Sequence, residues 1–209
     1  MNHARVRVKM CGMTRQEDIA HAVHLGVDAI GLIFYPQSKR YVSIEQAKKL
    51  LKDLPPFVDT VAVVVNPECD LVHQIISELP IRLVQFHGEE SVVFCQQFNK
   101  PFIKSVSAES TAHIEQAAQE YVSAQALLLD TPAEHEKGGT GLCFDWGIIP
   151  NFMPKSYLLA GGLNEFNVLE VLKICHPYAL DLCSGIEAAP GIKDHNKMSR
   201  FMNQLATIK

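Results

Sequence analysis

Val6-Arg7-Val8-Lys9-Met10-Cys11-Gly12 opens the regular structure of the chain, and Thr14-Arg15-Gln16-Glu17 follows directly. Val6 to Met10 reads as a short, mostly apolar strand. Cys11-Gly12 reads as the turn that ends it, and Thr14 with Glu17 as a capping-box helix start. Strand, tight turn and helix together make a βα unit. α/β folds keep their reactive groups at the C-terminal tips of such strands, so Cys11 is expected at the mouth of a site.

The same unit recurs to the end of the chain. Strands are expected at Val6–Met10, Ala29–Phe34, Thr60–Val65, Leu83–Phe86, Phe102–Val106, Ala126–Asp130, Tyr157–Ala160 and Ala179–Leu182. All are short and apolar on both faces, as parallel strands covered on both sides must be. Between them, apolar residues recur at helical spacing, as in Ile44, Ala47, Leu50 and Leu51, or Met198, Phe201, Met202 and Leu205. Ser43 with Gln46, and Asn164 ahead of Phe166–Lys173, supply further capping signals, while Pro150 leaves room for only a short helix after Asp145-Trp146-Gly147.

Eight βα units in 209 residues sit at the lower end of the size range for a (β/α)₈ TIM barrel. A doubly wound sheet would need fewer strands, and no GxGxxG follows the first one. The expected fold is therefore α/β, a closed barrel of eight parallel strands. No linker or low-complexity tract divides it, so residues 1–209 are expected as a single catalytic domain.

The net charge is −4 and there is no basic run, which argues against nucleic acid or an acidic membrane surface as partner. No window reaches the roughly 18–20 apolar residues of a membrane span, and no apolar leader is evident at the N-terminus. The six cysteines, at 11, 69, 95, 143, 175 and 183, show no CxxC pairing. Reduced thiols in a cytoplasmic protein are the simplest reading.

At the strand tips, Cys11 ends the first strand, Gln85 and His87 share a face of the fourth, and Asp130 ends the sixth. Gly161-Gly162 follows the seventh and Ser184-Gly185 the eighth, the positions at which many barrels bind phosphate through backbone N–H groups. A cysteine acts as a base only as thiolate, and Lys9, two residues earlier on the same inward face, could stabilise that charge. Lys9 and Asp181 both face inward below the rim and could equally form a structural ion pair. The planar fork of Arg40 suits a carboxylate or a phosphate. His87 has no HxH or HExxH partner, so neither a metal nor a cofactor is expected.

Read in order, these elements closely resemble phosphoribosylanthranilate isomerases of tryptophan biosynthesis. The resemblance runs from Val8-Lys9-Met10-Cys11-Gly12 through Ser38-Lys39-Arg40-Tyr41-Val42, Val84-Gln85-Phe86-His87-Gly88-Glu89 and Leu129-Asp130-Thr131. It continues through Gly138-Gly139-Thr140-Gly141 with Phe144-Asp145-Trp146, Ala160-Gly161-Gly162-Leu163, and Asp181 with Ser184-Gly185-Ile186-Glu187. Phe86 stands where the family usually has leucine, and Leu182-Cys183 where it commonly has valine and serine.

The resemblance implies a cofactor-free Amadori rearrangement of N-(5-phosphoribosyl)anthranilate, with Asp130 as general acid and Cys11 as general base. It implies that Arg40 clamps the anthranilate carboxylate and that the Gly161-Gly162 and Ser184-Gly185 loops hold the phosphate. Gln85, His87 and Asp181 would line the pocket. A small-molecule substrate is the expected partner, and the chain is expected as monomer or homodimer. The related histidine-pathway isomerase would show an aspartate at the first tip and two similar halves. Indole-glycerol-phosphate synthase would show lysines at strand tips and an added N-terminal segment. A non-catalytic barrel binding a phosphorylated metabolite would have no need of Cys11 and Asp130.

Overall fold

The computed structural model describes residues 5–131 and 145–207. Eight parallel strands close into a barrel in chain order. They are β1 (Arg7–Met10), β2 (Ala29–Ile33), β3 (Asp59–Val64), β4 (Leu83–Phe86), β5 (Phe102–Ser107), β6 (Ala126–Asp130), β7 (Tyr157–Leu159) and β8 (Ala179–Leu182). All eight expected strands are present, with ends shifted by at most one residue. Closure comes from β8 returning to β1, where Lys9 lies opposite Asp181 and Met10 opposite Leu182.

Helices α1 (Gln16–His24), α2 (Ile44–Leu51), α3 (Cys69–Glu78), α4 (Val92–Gln96), α5 (Thr111–Glu120), α6 (Val168–Ile174) and α7 (His195–Ala206) cover the outside. A single 3₁₀ turn, Trp146–Ile148, fills the place where Pro150 had allowed only a short helix. Beyond β8, a small antiparallel hairpin forms from β9 (Glu187–Ala189) and β10 (Ile192–Lys193).

Alternation along the strands divides the apolar residues into two zones. On β6, Leu127 and Leu129 point out into the large core beneath the helices. Ala126 and Leu128 point in, packing with Ile103, Leu158, Ala160 and Ala179 inside the barrel. Both faces are thus buried, as the continuous apolar runs require.

The capping expectations met different fates. Ser43 and Gln46 form a reciprocal capping box at α2. Thr14 does not cap α1: the helix starts later, at Gln16, with Arg15 at the N-cap, and the Thr14 hydroxyl instead donates to the Gly191 carbonyl. Asn164 lies ahead of a helix that begins only at Val168. Its amide nitrogen donates to Gly162 O and its oxygen accepts from Phe166 N, which fixes the turn after β7. A hydroxyl or amide that finds a tertiary partner is no longer available to the helix.

Candidate active site

The C-terminal mouth of the barrel gathers the sequence-derived candidates at one rim. Cys11 follows β1 directly, its N–H donating to Leu182 O at 2.7 Å. Below it, Lys9 Nζ donates to both oxygens of Asp181, each at 2.9 Å, in a fully enclosed ion pair. β2 must be bare beside them. A Cβ on Gly31 would fall 2.7 Å from Cys11 Sγ and 3.2 Å from Lys9 Cε.

Burial pushes Asp181 up to about 7 against the pull of Lys9. The same burial would lower Lys9, but the facing carboxylate and the Cys11 sulfur outweigh it and keep the ammonium charged. Lys9 is therefore already charged near neutral pH, and Asp181 is the member of the pair whose charge changes there.

The Cys11 thiol is held well below its ordinary value. A hydrogen bond from Cys183 is the largest cause; burial opposes it, and the charges of Lys9 and Lys193 reinforce it. Cys183 moves in the opposite direction, since it keeps the proton that it shares. Lys9 therefore contributes to the thiolate but does not stabilise it alone. Cys183 had no signal in the sequence beyond its place next to the phosphate loop.

Across the mouth, Asp130 Oδ1 accepts the Thr131 N–H at 2.8 Å, and Oδ2 lies 3.5 Å from His87 Nε2. Gln85 Nε2 is 2.9 Å from His87 Nδ1. A Gln85 N–H donated to Nδ1 leaves the proton of neutral His87 on Nε2, facing Asp130. Burial lowers His87, but Asp130 and the Cys11 sulfur raise it further, so the net shift is upward. Gln85 and His87 are thus tied to each other, with His87 Nε2 facing the Asp130 carboxylate.

Arg40 grips a carboxylate, that of Glu187. Nε donates to Oε1 at 2.8 Å and Nη2 to Oε2 at 2.7 Å. Lys193 holds the same Glu187 at 2.9 Å and also donates to Cys183 O at 3.1 Å. The guanidinium keeps its Nη1 hydrogens and one on Nη2 for other acceptors. Gly12 makes this approach possible. It has φ +71°, and a Cβ there would lie 2.7 Å from Arg40 Cδ.

The two glycine loops stand side by side. A Cβ on Gly185 would fall 1.9 Å from Leu163 O, and one on Gly161 2.1 Å from Thr131 Oγ1. Gly161 and Gly162 both have positive φ, at +85° and +63°. Glycine is thus demanded here by the packing of loop on loop, before any ligand is considered. Ser184 begins a single 3₁₀ turn ending at Ile186. Gly138-Gly139-Thr140-Gly141, Phe144 and Cys143 lie outside the described residues.

A cavity of about 610 Å³ opens at the opposite, N-terminal end of the barrel, lined by residues such as Ala29, Leu83, Ala126 and Ala179. It holds neither Cys11 nor Asp130, and convergent chemistry, rather than volume, marks the site. Among the described residues, no group of three or more His, Cys, Asp or Glu side chains is placed to hold a metal ion.

Residues 8–204 match the family model of N-(5'-phosphoribosyl)anthranilate (PRA) isomerase. The chain belongs to this family. It is 60% identical over 205 residues to the N-(5'-phosphoribosyl)anthranilate isomerase of Legionella pneumophila (strain Paris), covering 98% of this chain and 99% of the relative. The phosphoribosyl anthranilate isomerase of Thermotoga maritima superposes with a TM-score of 0.89 at 39% identity, over 97% of this chain and 100% of that one. A phosphoribosyl anthranilate isomerase structure in complex with reduced 1-(o-carboxyphenylamino)-1-deoxyribulose 5-phosphate gives 0.83 at 35% identity with the same coverage. Among the described residues, no helix is long and apolar enough to cross a membrane.

Proposed function

We propose that this member of the phosphoribosylanthranilate isomerase family carries out the Amadori rearrangement of N-(5-phosphoribosyl)anthranilate, with Asp130 and Cys11 as its acid and base. The product is 1-(2-carboxyphenylamino)-1-deoxyribulose 5-phosphate. The observation that carries the reading is the pairing, on one rim, of a thiol biased toward thiolate with a carboxylate tied to a histidine.

Asp130 donates a proton to the furanose ring oxygen, the C1′–O bond breaks, and a Schiff base forms. The Cys11 thiolate removes the proton from C2′, and the resulting enolamine tautomerises to the ketone. One group must begin protonated and the other ionised, which opposed environments can arrange. His87, raised and 3.5 Å from Asp130, stands where it can return the proton that Asp130 gives up. Asp181 acts through Lys9, holding that cation beneath the thiolate.

The Nη1 edge of Arg40, left over after its contacts with Glu187, takes the anthranilate carboxylate. The Gly161-Gly162 and Ser184-Gly185 loops take the phosphate, pinning both ends of a flexible substrate about the reacting carbons. All of these groups come from a single barrel, read as one domain over residues 1–209, so monomer or homodimer would serve equally. Its thiols suit the cytoplasm. A barrel that only bound a phosphorylated metabolite would gain nothing from stabilising a thiolate.

Cys11→Ser and Asp130→Asn should each leave binding of phosphoribosylanthranilate largely intact and cut turnover by at least about a hundredfold. The loss of substrate fluorescence with purified protein and no added metal reads both. Near-normal turnover in either variant would remove that residue from its role.

A further inference from the structure

Cys11 and Cys183 are neighbours across the seam that closes the barrel. Lys9 pairs in register with Asp181 and Met10 with Leu182, and Cys11 N–H donates to Leu182 O at 2.7 Å to complete that last pair. Cys11 and Cys183 each directly follow the last registered pair, Met10 and Leu182, two residues beyond Lys9 and Asp181 along their strands. In-register neighbours on adjacent strands stand about 4.8 Å apart. Disulfide-linked Cα atoms stand about 4.4–6.8 Å apart. Cys183 Sγ lies against the turn that follows Cys11, 3.1 Å from where a Cβ on Gly12 would stand, and Cys183 is half-buried at the open rim.

We propose that Cys11 and Cys183 form a site of oxidative modification: hydrogen peroxide closes them to a disulfide across the β1–β8 seam, and a dithiol reopens it. In the first step the Cys11 thiolate attacks a peroxide oxygen. The O–O bond breaks, hydroxide leaves, and Cys11 becomes a sulfenic acid. In the second step the Cys183 sulfur attacks the Cys11 sulfur, the S–S bond forms, the S–O bond breaks, and water leaves with the thiol proton. Two thiols lose two electrons and one peroxide becomes two waters.

The first step needs a thiolate, and the described thiols differ in offering one. Burial pushes Cys95 up to about 12 and Cys175 up to about 11, which leaves both inert at neutral pH. Cys11 moves the other way and has its resolving thiol alongside. Formation of the bond does not depend on which reaction the site catalyses. Its consequence, loss of the base and of turnover, rests on the function proposed above.

The test is to expose the reduced protein to hydrogen peroxide, block free thiols and digest with trypsin without reductant. Peptide 10–15, which carries Cys11, should appear linked to peptide 174–193, which carries Cys183 and also Cys175, and dithiothreitol should release it. Turnover should fall in step with the cross-link and return with dithiothreitol. In Cys183→Ser the cross-link should be absent. Prolonged peroxide should then drive Cys11 to the sulfinic acid, and dithiothreitol should not restore turnover.

The proposal is overturned if wild-type peptide 10–15 stays unlinked, or reaches the sulfinic acid while Cys183 remains free. A link that survives in Cys183→Ser overturns it too, because Cys175 would then be the partner. A cross-link that forms in a protein without isomerase activity would sink the function and leave the modification site standing.

Discussion

Cys11 and Cys95 are both enclosed, 5% and 0% exposed, yet burial carries only one of them upward. Cys95 lies on α4, outside the barrel wall, in the core beneath the helices. Burial is the first cause of its rise to about 12, and the Glu90 carboxylate adds to it. Cys11 lies inside the mouth, where a hydrogen bond from Cys183 and the charges of Lys9 and Lys193 overcome the same penalty. The contrast shows that enclosure does not settle what a thiol does. The sign of the neighbouring charge and the presence of a donor do.

The largest difference between the two should appear in their reactivity. With a value near 12, about one Cys95 in 10⁵ is thiolate at pH 7. Cys11 should be alkylated by iodoacetamide at pH values well below the ordinary thiol range, with Cys95 untouched until the protein is unfolded. Mass mapping of the labelled peptides across a pH series measures this. A midpoint for Cys11 at about 8.5 or above would erase the contrast.

Removing Lys9 should sharpen it next. Lys9→Met strands Asp181 without its partner, and breaking a buried pair this way costs about 3–5 kcal/mol. Asp181 is already pushed up to about 7 by burial, above its unfolded value. A raised carboxyl adds stability while protonated and loses it as pH rises through the folded value. Urea unfolding should therefore show a larger deficit for the variant at pH 8 than at pH 6. The Cys11 alkylation midpoint should rise in the same variant. Lys9→Met combined with Asp181→Leu should recover stability but leave the midpoint raised, which separates the electrostatic role of Lys9 from its structural one.

What the sequence revealed of these two regions follows from the range of the interactions. The strands were legible because their apolar runs are local, and the inward facing of Lys9 and Asp181 followed from alternation alone. Ser43 with Gln46 was legible for the same reason, as a pairing within one turn. Thr14 carried the same local signal, yet its partner is the carbonyl of Gly191, supplied by the far end of the chain. Arg40 with Glu187, Cys11 with Cys183 and His87 with Asp130 meet only because the barrel closes and its mouth converges. Spacing along the chain carries no trace of such pairs. Arg40 was read by its chemistry as suiting a carboxylate or a phosphate, and its first carboxylate proved to be internal.

The smallest expected effect lies at Cys95 itself. Cys95→Ala removes one buried sulfur from the core beneath α4 and should cost about 1 kcal/mol at neutral pH. Its sign with pH is the informative part. A thiol raised on folding contributes stability that is full below its unfolded value and is lost as pH rises toward the folded one, here about 12. The gap between wild type and Cys95→Ala should therefore narrow as pH climbs above about 9, near the unfolded value of a thiol. Chemical denaturation at pH 7, 9 and 10 measures that gap. Turnover of Cys95→Ala at neutral pH should match wild type, because no charge at the mouth has changed. A gap that widened with pH would mean that Cys95 is held as thiolate like Cys11, and the contrast between helix layer and barrel mouth would fail.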